Sequence, residues 1–200
     1  MKLVYFNDFT LGVVKDSNVV DVSAAVQEIP HMGPHDLING LIERWDQYKG
    51  RLEEVAGSSQ GTPLGQVRLR APLPRPGKML CMAGNYMESG TLDEARPLNA
   101  FLKSPTTVIG QGDTVVIPSA QATIFEHEAE LGFVVSKTAS HVKAAEAYDY
   151  IFGYVNFIDG SARGLGNPRM DTFYPGKSWH TFGPMGPYLV TADEIADPQD

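Results

Sequence analysis

Three glutamates at alternate positions, Glu126, Glu128 and Glu130, mark the stretch Thr123-Ile124-Phe125-Glu126-His127-Glu128-Ala129-Glu130-Leu131-Gly132-Phe133-Val134-Val135. Side chains alternate along a strand, so these carboxylates project the same way, ~6.7 Å from one neighbour to the next. Like charges so placed repel, and a hard divalent cation that takes oxygen ligands offsets the repulsion. A solvated strand end whose glutamates blunt a sheet edge fits the same spacing. A further carboxylate, Asp159, stands at the C-terminal end of the strand-like run from Tyr150 to Ile158, just before the turn-prone Gly160-Ser161. Strand ends followed by loops are where sites tend to be built.

The surrounding chain must position these groups. Residues 2–6, 10–15 and 18–22 are short β-prone runs separated by Asn7-Asp8 and by Lys15-Asp16-Ser17-Asn18, a pattern that predicts a small meander. From Asp36 to Ala56 the residues Leu37, Ile38, Leu41, Ile42, Trp45, Tyr48, Leu52 and Val55 recur at helical spacing, with Asp36 as N-cap, Gly57 as stop and Gly50 as a break. The polar run Gly57-Ser58-Ser59-Gln60-Gly61-Thr62-Pro63 reads as a linker. Met79 to Ala83 is expected to be a fully buried strand, which places Gly84-Asn85-Tyr86-Met87-Glu88-Ser89-Gly90 on a loop at its end. Thr114–Ile117 reads as another strand, stopped by Pro118. Ser140 is expected to cap a short helix through Tyr148, and the strand from Tyr150 to bulge at Gly153. The turn-rich segment from Gly176 to Pro187, with Lys177 and His180, reads from composition alone as a surface loop.

Composition narrows the function classes. A net charge of −8 argues against binding a phosphate backbone, so no nucleic-acid partner is expected. No apolar run approaches the ~20 residues of a membrane span, and the start Met1-Lys2-Leu3-Val4-Tyr5-Phe6-Asn7-Asp8 lacks a signal-peptide core, which makes the cytoplasm the expected compartment. The one cysteine, Cys81, lies in the apolar run Met79-Leu80-Cys81-Met82 and reads as a small packed hydrophobe. The ending Asp197-Pro198-Gln199-Asp200 is turn-like, an awkward finish for a β-rich domain, and suggests truncation.

Five segments, in order, resemble the fumarylacetoacetate hydrolase superfamily: Asn85-Tyr86 after a strand, Phe101-Leu102-Lys103 before Pro105, Glu128-Ala129-Glu130-Leu131, Phe157-Ile158-Asp159-Gly160-Ser161-Ala162-Arg163, and Lys177-Ser178 before Pro184-Met185-Gly186-Pro187. The resemblance covers about residues 71–200. It implies a mixed α/β, mainly β fold, in which an incomplete catalytic domain of β-sandwich or β-roll type (71–200) follows a small α+β N-terminal domain (1–70). It implies one divalent ion, Mg2+ or Mn2+ with Ca2+ as a substitute, held by Glu128, Glu130 and Asp159, with Glu126 outside the metal shell as ordinary surface. Lys177 matches the family's active-site lysine, which holds and polarises the substrate. Arg163 matches an arginine of the same constellation, and Tyr86 and Lys103 fall on the substrate-binding side. The implied partners are a small oxo-acid substrate and a second copy in a homodimer.

The sequence also departs from the pattern. Family members that hydrolyse acylpyruvates carry a histidine four residues after the asparagine of Asn-Tyr and a glutamate three beyond it, and this pair activates water. Here those positions hold Ser89 and Leu92. Glu88, Asp93 and Glu94 on the same loop, or His127 and His180 from elsewhere, are the groups available to replace the pair. His127 faces away from Glu128 and is expected to be packed. Gly164 and Gly166 stand where the family usually has an aspartate and a glutamine, and the family's C-terminal Thr-Gly-Thr-Pro loop is absent from these residues. Three functions follow as expectations. The first is hydrolysis of a carbon–carbon bond in a 2-oxo or β-diketo acid. The second is decarboxylation or dienoate isomerisation of the aromatic-catabolism kind, which needs no activated water. The third is non-catalytic metal binding.

Overall fold

The computed structural model describes residues 1–86, 93–94, 96–166 and 172–199. Its first strands are β1 (Lys2–Phe6), β2 (Thr10–Lys15) and β3 (Asn18–Asp21), an antiparallel meander in which Leu3 faces Val13 and Val13 faces Val20. The turns between them place Asn7, Phe9 and Asp16 at positive φ, as the Asn and Asp positions lead one to expect.

Two helices follow, α1 (Pro34–Glu43) and α2 (Trp45–Ser58), which bury Leu37, Ile38, Leu41 and Ile42, then Tyr48, Leu52 and Ala56. The break falls at Arg44 and not at Gly50, because Gly50 is exposed and lies between Tyr48 and Leu52, whose packing outweighs the ~1 kcal/mol that a helical glycine costs. Gly33 occupies the N-cap position, and Asp36 sits in the first turn, where its carboxylate accepts a hydrogen bond from the Met32 N–H at 3.2 Å.

The remaining elements are β4 (Thr62–Pro63), β5 (Leu69–Arg70), β6 (Met79–Met82), β7 (Ala100–Lys103), β8 (Val108–Ile109), β9 (Ile124–Val135), β10 (Ile151–Arg163), α3 (Phe173–Lys177), β11 (Gly183–Pro184) and β12 (Leu189–Thr191). One sheet runs β4-β3-β2-β1-β12-β10-β9, with β5 also paired to β1. Strand β12 therefore joins the N-terminal meander to the glutamate strand's partner, and one apolar core takes Leu3, Leu41, Leu52, Phe152, Phe157 and Leu189 from both ends of the chain. Among the described residues β6 pairs only with β7, and β8 pairs with β11 in parallel. The architecture is mainly β with few helices, as the resemblance implies.

Several local expectations are corrected. β6 is not fully buried: Leu80 and its cross-strand partner Leu102 lie on an open face, because this two-stranded unit covers the protein on one side only. Residues 114–117 form no ladder, and Val116 N–H bonds instead to Thr181 Oγ1 at 2.8 Å, so β propensity without a strand partner gave an extended segment. Ser140 does not cap a helix; a 3-10 turn spans Ala144–Tyr150 with Lys143 at its N-cap, and the Ser140 hydroxyl meets His141 Nδ1. The polar run after Ala56 is split between the end of α2 and β4, which pairs with β3. The segment 176–185 is no surface loop, since Lys177, Thr181, Phe182 and Met185 are all buried in it. The register of β10 slips between Ile151 and Gly153, which is the expected bulge. Among the described residues no helix is long and apolar enough to cross a membrane.

Candidate active site

The ladder between β9 and β10 assembles the carboxylates. Asp159 lies directly opposite Glu128, and Phe157 opposite Glu130, so Glu128, Glu130 and Asp159 share one face of two adjacent strands. Asp159 is 3% exposed, whereas Glu128 and Glu130 are half-buried. Burial raises the Glu130 carboxyl above its ordinary range, and the charges of Asp159 and Glu128 push it the same way against a hydrogen bond from Tyr86.

Cations meet this acidic face. The Lys177 ammonium, 3% exposed at the end of α3, donates to Glu128 Oε2 and to Asp159 Oδ2. It also lies 5.3 Å from the centre of the Phe101 ring. Arg163, at the end of β10, bonds Glu128 Oε1 at 2.5 Å and Glu126 Oε2 at 2.7 Å. Its guanidinium is held still more firmly protonated than usual, chiefly by the hydrogen bond to Glu126. Glu126 is thus exposed, as expected, yet tied through Arg163 to Glu128.

Lys103 is deeper. It is 1% exposed, and its amine donates to Asp159 Oδ1 at 2.8 Å, to Gly160 O at 3.1 Å and to Lys177 O. An ammonium has three hydrogens, and here each has a protein acceptor. Lys103 therefore faces Asp159 in this structure and presents no free donor to a substrate. Tyr86 is also turned to the protein: its hydroxyl accepts from the Leu131 N–H at 3.3 Å and bonds Glu130.

The alternation in β7, where Phe101 and Lys103 point inward while Leu102 points out, is the sequence signal that could have shown Lys103 as buried. Cys81, opposite Phe101, is half-buried, and its thiol is pushed up to about 11 by burial and then by Asp159, which suits packing and not nucleophilic attack. His127 is exposed and not packed, because the face of β9 that carries it together with Ala129, Leu131, Phe133 and Val135 is left uncovered among the described residues; His180 is exposed as well. Ser89 and Glu88 lie outside the described residues.

A cleft of about 340 Å³ opens beside Lys177 and Arg163, lined also by Gly164, Thr172 and Phe173. Gly164 has φ 65°, and a Cβ there would lie 2.1 Å from Thr123 Oγ1, so the backbone itself explains a glycine where the family has a side chain. A second hollow of about 430 Å³, between residues 24–28 and α2, gathers no comparable set of functional groups.

The donor chemistry suits a hard divalent ion: oxygen ligands only, on one strand face, with one carboxyl whose charge its neighbours disfavour. As the side chains stand, no three His, Cys, Asp or Glu among the described residues converge into one ligand set. Glu128 and Asp159 direct both of their oxygens at Lys177, Arg163 and Lys103 instead.

The family profile "Fumarylacetoacetate (FAA) hydrolase C-terminal" matches residues 78–200, the part that contains every one of these groups. The chain belongs to the fumarylacetoacetate hydrolase family. The chain is 32% identical to maleylpyruvate hydrolase of Aquipseudomonas alcaligenes, over 99% of its own length and 72% of the relative's. It is 37% identical to oxaloacetate tautomerase YisK of Bacillus subtilis, over 97% of the chain and 70% of the relative. Among solved structures, maleylpyruvate hydrolase from Sphingobium sp. SYK-6 superposes with a TM-score of 0.84 at 31% identity, covering 99% of this chain and 70% of that one. The same enzyme in complex with manganese (II) ion and pyruvate gives a TM-score of 0.84 at 30% identity. These relatives are enzymes, and so is the family to which the chain belongs.

Proposed function

We propose that this chain is a divalent-metal-dependent enzyme of 2-oxo acids that cleaves a carbon–carbon bond of an acylpyruvate-like substrate by hydrolysis. The observation that carries this reading is the Lys177 ammonium, buried between Glu128 and Asp159 where the acidic ladder meets the cleft. In this reading Glu128, Glu130 and Asp159 hold Mg2+ or Mn2+. When bound, the ion supplies a Lewis acid that favours negative charge on the substrate oxygens. The manganese and pyruvate of the similar maleylpyruvate hydrolase structure support both the ion and the substrate class.

The chain's own residues then have separate tasks. Lys177 and Arg163, both lining the cleft, offer cations to the substrate's carboxylate and to the oxygen that becomes negative. On cleavage the hydroxyl of water goes to the acyl carbon, giving a carboxylic acid. The electron pair of the broken bond passes to the pyruvate fragment as its enolate, and a proton on carbon completes pyruvate. Proton handling falls in this reading to Glu88 and Ser89. Phe101 and Phe173, stacked at 4.6 Å between ring centres, form an apolar wall beside the Lys177 amine.

A second reading, keto–enol tautomerisation or double-bond isomerisation, is favoured by two observations. Ser89 and Leu92 replace the water-activating pair, and the tautomerase relative shares 37% identity. Both readings need the enolate, and only the first needs water.

Product analysis decides between them. With Mn2+ present, maleylpyruvate should give two acid fragments, whereas the second reading predicts interconversion of enol and keto oxaloacetate without cleavage. In either case Lys177→Met should lower turnover by about 10²-fold or more. Equal turnover in that variant would overturn the assignment of Lys177.

A further inference from the structure

We propose that Lys103 is a positioning residue that aims the Lys177 amine by holding both Asp159 and the main chain of Lys177. This rests on the reading above, in which Lys177 is the working cation.

The geometry joins three elements at one atom. Lys103 ends β7, and its amine reaches Asp159 Oδ1 and Gly160 O on β10 and the carbonyl of Lys177 at the end of α3. Asp159 is left with Oδ2 for the Lys177 amine, so a single carboxylate is shared, one oxygen to each lysine. The Lys103 side chain is fully buried, and no substrate reaches it. Its influence must pass through the groups it holds.

The neighbouring contacts run the same way. Ser104 N–H donates to Ser178 Oγ at 3.1 Å, so β7 is tied to the end of α3 at two consecutive residues. Phe101, two residues before Lys103, stacks on Phe173 at the start of α3. A helix of five residues does not hold its shape in isolation, and these contacts with β7 fix where it ends and where its last side chain points. Burial lowers the affinity of Lys103 for its proton, and the bond to Asp159 works against that. A neutral side chain of equal length would remove the donor that Asp159 Oδ1 and the carbonyls of Gly160 and Lys177 share, leaving Asp159 with only its Oδ2 bond to Lys177.

Lys103→Met keeps the length and removes the donors. The expected result is a fall in kcat of about 10²-fold with KM little changed, because the substrate still meets Arg163 and the cleft but the Lys177 amine is misplaced. In Lys103→Ala, added propylamine should recover part of the lost kcat, and propanol should recover none. Unchanged kcat, or recovery by both additives alike, overturns the proposal.

The unmodified protein gives an independent check, whatever the fold of the variants. In protein labelled with 15N-lysine, the Lys103 ammonium should give a solvent-protected signal that moves, together with that of Lys177, when Mg2+ and pyruvate are added. Movement of Lys177 alone overturns the role of Lys103 and leaves the functional reading standing. If neither signal moves and no oxo acid is turned over, the functional reading fails and this inference fails with it.

Discussion

Asp193 shows how a single charge can be read from its partners. It bonds Lys49 at 2.7 Å, and that bond, reinforced by the Thr191 hydroxyl, lowers its carboxyl from 3.8 to about 2. A depressed carboxylate contributes stability that is fully present above its unfolded value and is lost as pH falls through its folded one. The contribution of this half-exposed pair should therefore be complete above about 3.8 and disappear toward about 2. Asp193→Asn should be less stable than the parent by ~0.5 kcal/mol at neutral pH, a surface-pair magnitude, and equal to it at the acid end. Denaturant unfolding across that range checks this; a difference that grows as pH falls would contradict it. The same reasoning applied to Lys103 and Lys177 separates two lysines that look alike in sequence. One donates all three hydrogens within the protein, and the other reaches the cleft.

At the scale of elements, β10 carries the site and depends on β12 to hold it against the meander. Gly153 lies at that junction, opposite Thr191, and a Cβ there would lie 2.2 Å from the backbone oxygen of Val190. Backbone cannot give way as a flexible side chain does, so Gly153→Ala should cost about 2 kcal/mol or more. For a chain of this size that lowers Tm by roughly 4–8 °C, measurable by calorimetry, and an unchanged Tm would refute the tight junction. The long strands were legible because β9 alternates charged and apolar residues and β10 is apolar up to Asp159 apart from the exposed Asn156. That alternation alone set Glu128 and Glu130 on one face. Their meeting with Asp159 was not legible from spacing, because it depends on the register between two strands, and there the family resemblance supplied the link. The strand expected at 114–117 failed for the converse reason: propensity is local, and a ladder needs a partner. The burial of Lys177 was also hidden, since an isolated lysine reads as surface until the topology brings it an aspartate, whereas for Lys103 the alternation along β7 carried a signal.

For the whole molecule, the arrangement explains why an acidic chain gathers its buried cations in one place. Lys103 and Lys177 are the buried lysines among the described residues, and both bond Asp159. Together with Arg163 they face Glu126, Glu128, Glu130 and Asp159, so the carboxylates exceed the cations by one in a chain whose net charge is −8. Such an excess, fixed on a sheet and opening on a cleft, favours a small divalent ion carried in with an anionic oxo acid. Manganese titration followed by electron paramagnetic resonance tests this most directly, with the unmodified chain compared with Glu130→Gln and with pyruvate added last. One Mn2+ should bind per chain, at least about tenfold more weakly in the variant, with a spectrum that changes with pyruvate. Binding of equal strength in Glu130→Gln, or a spectrum that pyruvate leaves unchanged, would contradict it.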